Sequence, residues 1–463
     1  MGRNKLIVNI DLLKKYSRSG PRYTSYPTAP YFHEGIGPQQ YVDHIKDNDR
    51  LKSDQDISLY FHLPFCDTLC YFCGCNMLVT HHRERIEEYV EYLIKEIELI
   101  RPLISQGRKV AQLHWGGGTP SYLPPDQIRR LGNAVRNRFD FTDGAEVGVE
   151  IDPRGLTRDH MAALSEVGFN RCSMGIQDFD PKVQESVNRV QPEDITKQTI
   201  DWARELGFQS VNVDLMYGLP FQSVEKFSVT LDKIIRFDPD RLAVFNYAHL
   251  PKMIKHQKLI RDETLPSPEV KLQLLKLSIE RLTDNGYVYI GMDHFAKPDD
   301  ELTVAMREGT LYRNFQGYST NAGLDLFALG MSSISLLPKL YVQNYKKLKE
   351  YYQKLDEGQL PIMRGYELSG DDRLRREVIM ELMCNFRLVK ARIEKKYNID
   401  FDSYFENALE SLKPFRNDDL VILENGTILV TDQGRLLIRN IAMNFDAYLE
   451  DEASEGPQYS KTV

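Results

Sequence analysis

From Ile57 to about Phe295 the chain alternates short runs of β-branched and aromatic residues with longer stretches whose apolar positions recur at helical spacing. The runs read ISLYFHLPF, KVAQLHW, AEVGVEIDP, RCSMGIQDF, SVNVDLMYGL, RLAVFNYAHL and GYVYIGMDHF. They begin roughly 25 to 55 residues apart, the scale of strand–helix–strand units. Between the first two, RERIEEYVEYLIKEIELI places Ile86, Val90, Leu93, Ile97 and Ile100 on one stripe of a helix. Parallel strands with covering helices are therefore expected.

Polar residues sharpen that expectation. Almost every run starts apolar and ends in reactive chemistry: a cysteine group, Gly116-Gly117-Gly118-Thr119, Glu150 with Asp152, Gln177 with Asp178, Asp214, His249, and Asp293 with His294. A (β/α) barrel builds its active site from the carboxyl ends of its strands. The alignment thus predicts an α/β fold, a partial or full (β/α) barrel over residues 57–339 with these groups around its mouth. An open doubly wound sheet gathers such residues at one switch point instead.

Near residue 340 the rhythm stops. YVQNYKKLKEYYQKL and DDRLRREVIMELMCNF read as helices, and VILENGTILV as two strands around Asn425-Gly426, a type I′ hairpin signal. Residues 340–449 are expected to form a smaller helical, winged-helix-like C-terminal domain, and residues 450–463 an acidic tail without fixed structure. Residues 1–56 are expected to form an N-terminal segment covering the barrel mouth.

The 463 residues exceed one core of ordinary size, in keeping with a catalytic domain plus a satellite. A net charge of −8 argues against a nucleic acid or an anionic membrane as partner. No run approaches membrane-spanning length, and the first twenty residues lack an apolar stretch before a small-residue cleavage site. A cytoplasmic monomer is the expectation.

Four of the six cysteines, Cys66, Cys70, Cys73 and Cys75, fall within ten residues. A secreted disulfide scaffold spreads its cysteines, whereas a group in one loop points to a metal. Thiolates this close suit the corners of an iron–sulfur cubane. Structural zinc takes a second Cys or His pair at a distance, and nothing in the chain pairs convincingly with this loop. Cys172, in a strand run, and Cys384, in a helical one, read as buried structural residues.

Cys66-x3-Cys70-x2-Cys73 resembles the signature of radical S-adenosylmethionine (SAM) enzymes. The resemblance implies that the three thiolates hold a [4Fe–4S] cluster and leave one iron for the amino and carboxylate groups of SAM, whose reductive cleavage gives a 5′-deoxyadenosyl radical. PRYTSYPT, CYFCGCN, HWGGGTP, EIDPR, MGIQDF, VNRVQ, DLMYGLP, FNYAHLP and GMDHFAKPDDEL narrow the match. Together they resemble the oxygen-independent coproporphyrinogen III oxidase family, from near Pro21 to roughly Met443. The resemblance implies two SAM molecules, oxidative decarboxylation of two propionates of coproporphyrinogen III to vinyl groups, and an electron donor such as flavodoxin or ferredoxin.

The resemblance also carries site residues. Contacts to SAM fall on Tyr60, Phe72, Gly117, Gly118, Thr119, Glu150, Gln177, Arg189, Asp214, Ala248 and Ile334, and catalytic roles on Tyr60, Glu150 and Arg22. The residue chemistry is compatible: side-chain-free backbone at the glycines admits a charged ligand, Glu150 suits ribose hydroxyls or an ammonium group, and Arg189 suits a carboxylate. Cys75 is expected outside the ligand set, because a fourth thiolate fills the iron that SAM needs. Arg22, Lys297, Arg307 and Arg313 are the candidate cations for the propionates. Three alternatives stand beside this reading: a haem-degrading radical SAM methyltransferase, a haem chaperone of the same superfamily, and a zinc-stabilised regulator with a winged-helix tail.

Overall fold

The computed structural model describes residues 6–449 and 459–462. Six strands enter in sequence: β1 (Ile57–Leu63), β2 (Val110–Gly117), β3 (Phe141–Ile151), β4 (Arg171–Gln177), β5 (Ser210–Tyr217) and β6 (Arg241–Asn246). Helices α1 (Arg83–Ile100), α2 (Pro125–Arg136), α3 (Arg158–Glu166), α4 (Glu193–Glu205), α5 (Val224–Phe237) and α6 (Pro268–Asp284) follow them in turn. β7 (Val288–Gly291), β8 (His294–Ala296), β9 (Asp325–Leu329), β10 (Ile334–Leu336), β11 (Leu340–Asn344) and β12 (Ile362–Glu367) complete one sheet. Its order is β12-β11-β10-β9-β1-β2-β3-β4-β5-β6-β8-β7.

The stretch from β9 to β6 is parallel, and both flanks are antiparallel. Among the described residues the two outer strands are not paired with each other, so the barrel is partial. The seventh apolar run departs from the expected rhythm. It folds back on itself at Met292, φ +48°, and its β7–β8 hairpin lies antiparallel on β6. The strand that instead extends the parallel core, β9, lies in LDLFAL, which the βα rhythm does not include. The division expected after residue 339 falls inside the sheet, since β11 and β12 belong to it.

Period two along each strand separates two environments. Leu59, Phe61, Trp115, Val147, Val149, Met174, Val213, Leu215, Leu242 and Val244 are buried, on the face that the covering helices pack against. The alternate positions, among them Gln112, His114, Glu146, Glu150, Arg171, Ser173, Asn212, Asp214 and Arg241, line a cavity inside the curve of the sheet. The interior of this barrel is polar, and the apolar core lies between sheet and helices.

On α1 the expected stripe Ile86, Val90, Leu93, Ile97 and Ile100 is buried, and Glu96 is buried within it. Glu96 accepts hydrogen bonds from Gly330 N–H (2.7 Å), Asn344 Nδ2 (2.7 Å) and Tyr351 OH (2.6 Å). This ties α1 to the segment after β9, to β11 and to the helix Leu348–Asp356.

α7 (Gly370–Asn385) starts at a capping box in which Ser369 and Asp372 satisfy each other's backbone N–H. It packs beside a small antiparallel sheet ordered β13 (Arg387–Val389), β15 (Thr427–Val430), β14 (Val421–Glu424). Asn425 and Gly426, at φ +50° and +68°, make the hairpin turn with the two positive φ values of type I′. Arg439, 5% exposed, gathers the ends of the chain: it donates to the carbonyls of Gly20 and Pro21 and to those of Lys461 and Thr462. Of the tail expected to lack structure, residues 450–458 and 463 lie outside the described residues. Tyr459–Thr462 instead pair with the N-terminal segment through Gly20 N–H to Ser460 O (3.1 Å) and Thr462 N–H to Arg18 O (2.8 Å). That segment then runs on to His33, which bridges Gly365 on β12.

Burial outweighs the bonds from Tyr351, Gly330 and Asn344, which favour the ionised form, and the Glu96 carboxyl stands raised from its ordinary 4.5 to about 7. Folding therefore takes up a proton between those values, and stability falls as pH rises through that window. Tyr351→Phe removes a donor to the ionised carboxylate and steepens the fall. We expect it to cost about 1 kcal/mol at pH 5 and about 2–3 kcal/mol at pH 8, read from urea unfolding; equal costs at the two pH values contradict this account of Glu96.

Candidate active site

β1 runs out through Leu63 and Pro64 into the loop that carries Cys66, Cys70, Cys73 and Cys75, and the end of β2 lies against this exit. Gly118 N–H donates to Leu63 O and Thr119 N–H to Phe65 O, both at 2.9 Å, and Thr119 Oγ1 lies 3.3 Å from Cys66 Sγ. A Cβ on Gly118 would fall 2.4 Å from Pro64 O, and one on Gly117, at φ +119°, would fall 2.6 Å from the His62 ring. Glycine is thus required here for close backbone contact. Of the side-chain-free backbone expected to admit a ligand, the N–H groups of Gly118 and Thr119 hold the cysteine loop and that of Gly117 donates to Glu150 Oε2 (3.0 Å).

Two guanidinium groups face the second thiol. Arg154 Nη2 lies 3.4 Å and Arg189 Nη1 3.6 Å from Cys70 Sγ, and Asp152 Oδ2 accepts from both arginines at 2.7 and 3.0 Å. Arg189 Nη2 also donates to Gly175 O (2.6 Å), which leaves Nε without a partner among the described residues. Gln177 sits beside it: a Cβ on Gly175 would meet Gln177 Nε2 at 2.6 Å and Arg189 Nη2 at 3.4 Å. Gln177 Oε1 is buried and unpartnered among the described residues.

Cys75 N–H donates to Cys73 Sγ at 3.4 Å. A hydrogen bond from the Cys75 thiol holds Cys73 below its ordinary value and pushes Cys75 up, so the proton of the pair stays on Cys75. Among the described residues no three His, Cys, Asp or Glu side chains converge on a single-ion position. The loop thus offers thiols spaced along one turn, with Arg154 and Arg189 N–H groups at Cys70 and the Thr119 hydroxyl at Cys66, and this donor set fits a cubane that takes one thiolate at each of three corners.

A cavity of about 520 Å³ opens beside the loop. Tyr60, His62, Cys75, His114, Glu150, Phe315, Gln316, Ile334 and Lys346 line it, so Tyr60, Glu150 and Ile334 are brought together as the sequence led us to expect. Tyr60 stacks on His114 (ring centroids 6.1 Å, planes 8° apart), and its hydroxyl lies 3.3 Å from His62 Nδ1. Burial alone raises the Glu150 carboxyl, but His114, 3.6 Å away, and the Gly117 N–H outweigh this and hold it below its ordinary value. A second cavity of about 190 Å³ continues inward past Glu150 to Asp214. There Asn212 Nδ2 and Ser173 Oγ donate to Asp214 (2.9 and 3.1 Å), while burial and the Glu150 charge push it up to about 7.

Other expected residues do not line these two cavities. Phe72, inside the cysteine loop, packs with Tyr71 on a side cluster of Val183, Val187, Leu219, Tyr247 and Ile260, and Ala248 is exposed, its carbonyl accepting from the Gln257 amide (3.3 Å) that also donates to Phe72 O (3.0 Å). Arg22 is paired with Asp293 and lies over the Phe245 ring at 6.0 Å, so its charge is already committed. Arg313 is buried, donates through Nε to Arg22 O (3.4 Å) and keeps Nη1 unpartnered among the described residues. Lys297 is removed from the candidate cations, because it pairs with Asp238 (2.9 Å) and Asp240 (3.5 Å) beneath the start of β6, opposite the cysteine loop. Arg307 lines a separate cavity with Asp432 and Arg435 and is removed as well. Sequence reasoning set Asp152 at the mouth without giving it a role, and missed His62, His114 and Arg154 as parts of the site; spacing of two from Tyr60 marks His62, because alternate residues of a strand share a face.

No helix among the described residues is long and apolar enough to cross a membrane. A model of the Radical SAM superfamily matches residues 60–234, and one of the HemN C-terminal domain matches residues 368–437. The chain is 49% identical over 455 residues to the oxygen-independent coproporphyrinogen III oxidase of Escherichia coli (strain K12), covering 98% of each protein. To the enzyme of that name from Synechocystis it is 46% identical over 449 residues, covering 96% of each. The solved coproporphyrinogen III oxidase (HemN) from Escherichia coli, described as a radical SAM enzyme, superposes with a TM-score of 0.91 at 47% identity, over 96% of this chain and all of that one. With the cysteine loop held on the end of a partial barrel and agreement along nearly the whole length, the chain belongs to the oxygen-independent coproporphyrinogen III oxidase family of radical SAM enzymes.

Proposed function

We propose that this protein converts two propionate side chains of coproporphyrinogen III to vinyl groups without oxygen, giving protoporphyrinogen IX. The observation that carries the reading is the near full-length agreement with relatives of that activity, on a chain whose cysteine loop has the donor set for a [4Fe–4S] cluster. In this reading Cys66, Cys70 and Cys73 hold the cluster and leave one iron to SAM. The bound cofactors supply a 5′-deoxyadenosyl radical that takes a β-hydrogen from a propionate, after which CO2 and one electron leave and a vinyl group remains. Each vinyl group thus consumes one SAM and one incoming electron and releases one electron.

The chain's own residues bind and orient. Glu150, kept ionised by His114 and Gly117 N–H, accepts from ribose hydroxyls or an ammonium group, and Tyr60 packs beside it. The unpartnered Gln177 Oε1 and Arg189 Nε offer a polar ligand one acceptor and one donor next to Cys70. In this reading one SAM takes the outer cavity, within the size range of small-molecule sites, and a second needs more room than the adjoining cavity of about 190 Å³ that shares His114, Glu150 and Gln316 with it. Arg313, buried with Nη1 unpartnered among the described residues, is the better of the remaining propionate candidates, since Arg22 must first leave Asp293. The six free thiols suit a reducing cytoplasm, where a flavodoxin or ferredoxin serves a monomeric enzyme.

Serine at Cys66, Cys70 or Cys73 is expected to abolish the cluster in anaerobically reconstituted protein, and serine at Cys75 to leave it. Gly118→Ala, which drives a Cβ into Pro64 O, should cost most of the bound iron and labile sulfide. Stoichiometric zinc without sulfide in the parent protein contradicts the cluster, and full iron in Gly118→Ala contradicts the tight contact.

The activity itself is tested anaerobically with SAM, a strong reductant and coproporphyrinogen III deuterated at the propionate β-carbons. Protoporphyrinogen IX, CO2, methionine and deuterated 5′-deoxyadenosine are expected. A methylated tetrapyrrole from haem, with no CO2 from coproporphyrinogen III, overturns the assignment in favour of a methyltransferase.

A further inference from the structure

The cysteine loop is covered on its outer side by two segments. Gln257, 1% exposed, donates to Phe72 O (3.0 Å) and Ala248 O (3.3 Å) and accepts from Leu250 N–H (2.6 Å). Next to it His256 Nε2 meets Cys73 O at 2.6 Å. From the other side Tyr71 N–H donates to Val187 O (3.0 Å), and Asn188 Nδ2 to Leu69 O (2.8 Å). Residues 250–261 are thus pinned directly onto Phe72 and Cys73.

The outward side of this pinned segment has an unusual composition. It carries Lys252, Lys255, Lys258 and Arg261 and no Asp or Glu, on a chain whose net charge is −8. All four cations are exposed. Arg261 lies 3.7 Å from Glu263, whereas among the described residues no carboxylate forms an ion pair with Lys252, Lys255 or Lys258. Between them Met253 and Leu259 are 62% and 57% exposed, and Val190, on the second covering segment, is 59% exposed. Apolar side chains rimmed by lysines are the make-up of a protein-docking surface, and the lysines select a partner of opposite charge.

The occupant follows from what lies beneath. The reaction takes up one electron per SAM, the substrate enters through the mouth, and this surface covers the backbone of the loop that holds the thiols. We propose that Lys252, Lys255 and Lys258, with Met253 and Leu259, form the docking surface for an acidic protein that delivers single electrons to the cluster. This rests on the [4Fe–4S] reading above. In the transfer the donor is oxidised by one electron and the cluster reduced by one; no atom or proton moves.

The test compares the cluster-loaded parent with the triple variant Lys252→Glu, Lys255→Glu, Lys258→Glu, using flavodoxin and ferredoxin as acidic probes. Calorimetric titration with the oxidised probes should give a Kd for the variant at least about tenfold higher at low ionic strength, with the gap closing as salt is added. Formation of 5′-deoxyadenosine driven by the reduced probe should fall by a similar factor, while the rate driven by titanium(III) citrate and the iron content stay at parent values. Equal Kd values and equal probe-driven rates in parent and variant overturn the proposal, as does a parent that binds neither probe. Absence of 5′-deoxyadenosine with titanium(III) citrate in both proteins counts against the [4Fe–4S] reading instead, and the titrations then still decide whether the surface docks an acidic protein.

Discussion

The structure depends on a backbone contact between the ends of two neighbouring strands. Gly118 and Thr119 N–H groups, leaving β2, close on Leu63 and Phe65 carbonyls at the exit of β1. Only glycine permits the approach, since the space a Cβ would need at Gly118 is filled by Pro64 O. The first thiol then meets the Thr119 hydroxyl, and the Gly117 N–H fixes Glu150 at the end of the next strand. One short glycine run therefore places the cysteine loop, the floor of the mouth cavity and the carboxylate beside it. Asp152 adds a second anchor, since it holds Arg154 and Arg189 together where both reach Cys70.

A polar lumen is the other side of the same design. Strands that alternate Tyr60, His62, Gln112, His114, Glu150, Ser173, Asn212 and Asp214 inward with Leu59, Phe61, Trp115, Val149, Met174 and Val213 outward cannot bury both faces dry. The apolar face supplies the folding energy against the helices, which frees the inner face to carry charge. Several of its groups are pushed from their ordinary ionisation by burial and by one another, Asp214 upward and Glu150 downward. Perturbed carboxyls in a cavity are a mark of ligand chemistry.

Much of this was legible in the sequence. The βα rhythm located six of the seven parallel strands, and residue chemistry at their ends located the mouth. The NG turn fixed its hairpin, and the apolar stripe of α1 fixed its buried face. What escaped has physical reasons. LDLFAL adds β9 to the parallel core without a helix of its own after it, so periodicity gave no unit to count. Glu96 hides in an apolar stripe because its three partners come from segments more than 200 residues away. The pairing of Arg22 with Asp293 spans 271 residues and leaves no local trace, and for the same reason charge alone could not separate Arg313 from Lys297 or Arg307. The Gly-Gly-Gly-Thr segment was found for its small size, and its N–H groups also hold protein backbone and Glu150, a partner that composition alone does not reveal.

The central claim is that three thiolates of one loop hold a cluster whose fourth iron is left to SAM. Mössbauer spectra of protein reconstituted with 57Fe, recorded with and without SAM, address it directly. The account predicts that one iron in four changes its isomer shift when SAM is added while the other three stay thiolate-like. Four equivalent irons that ignore SAM would contradict it.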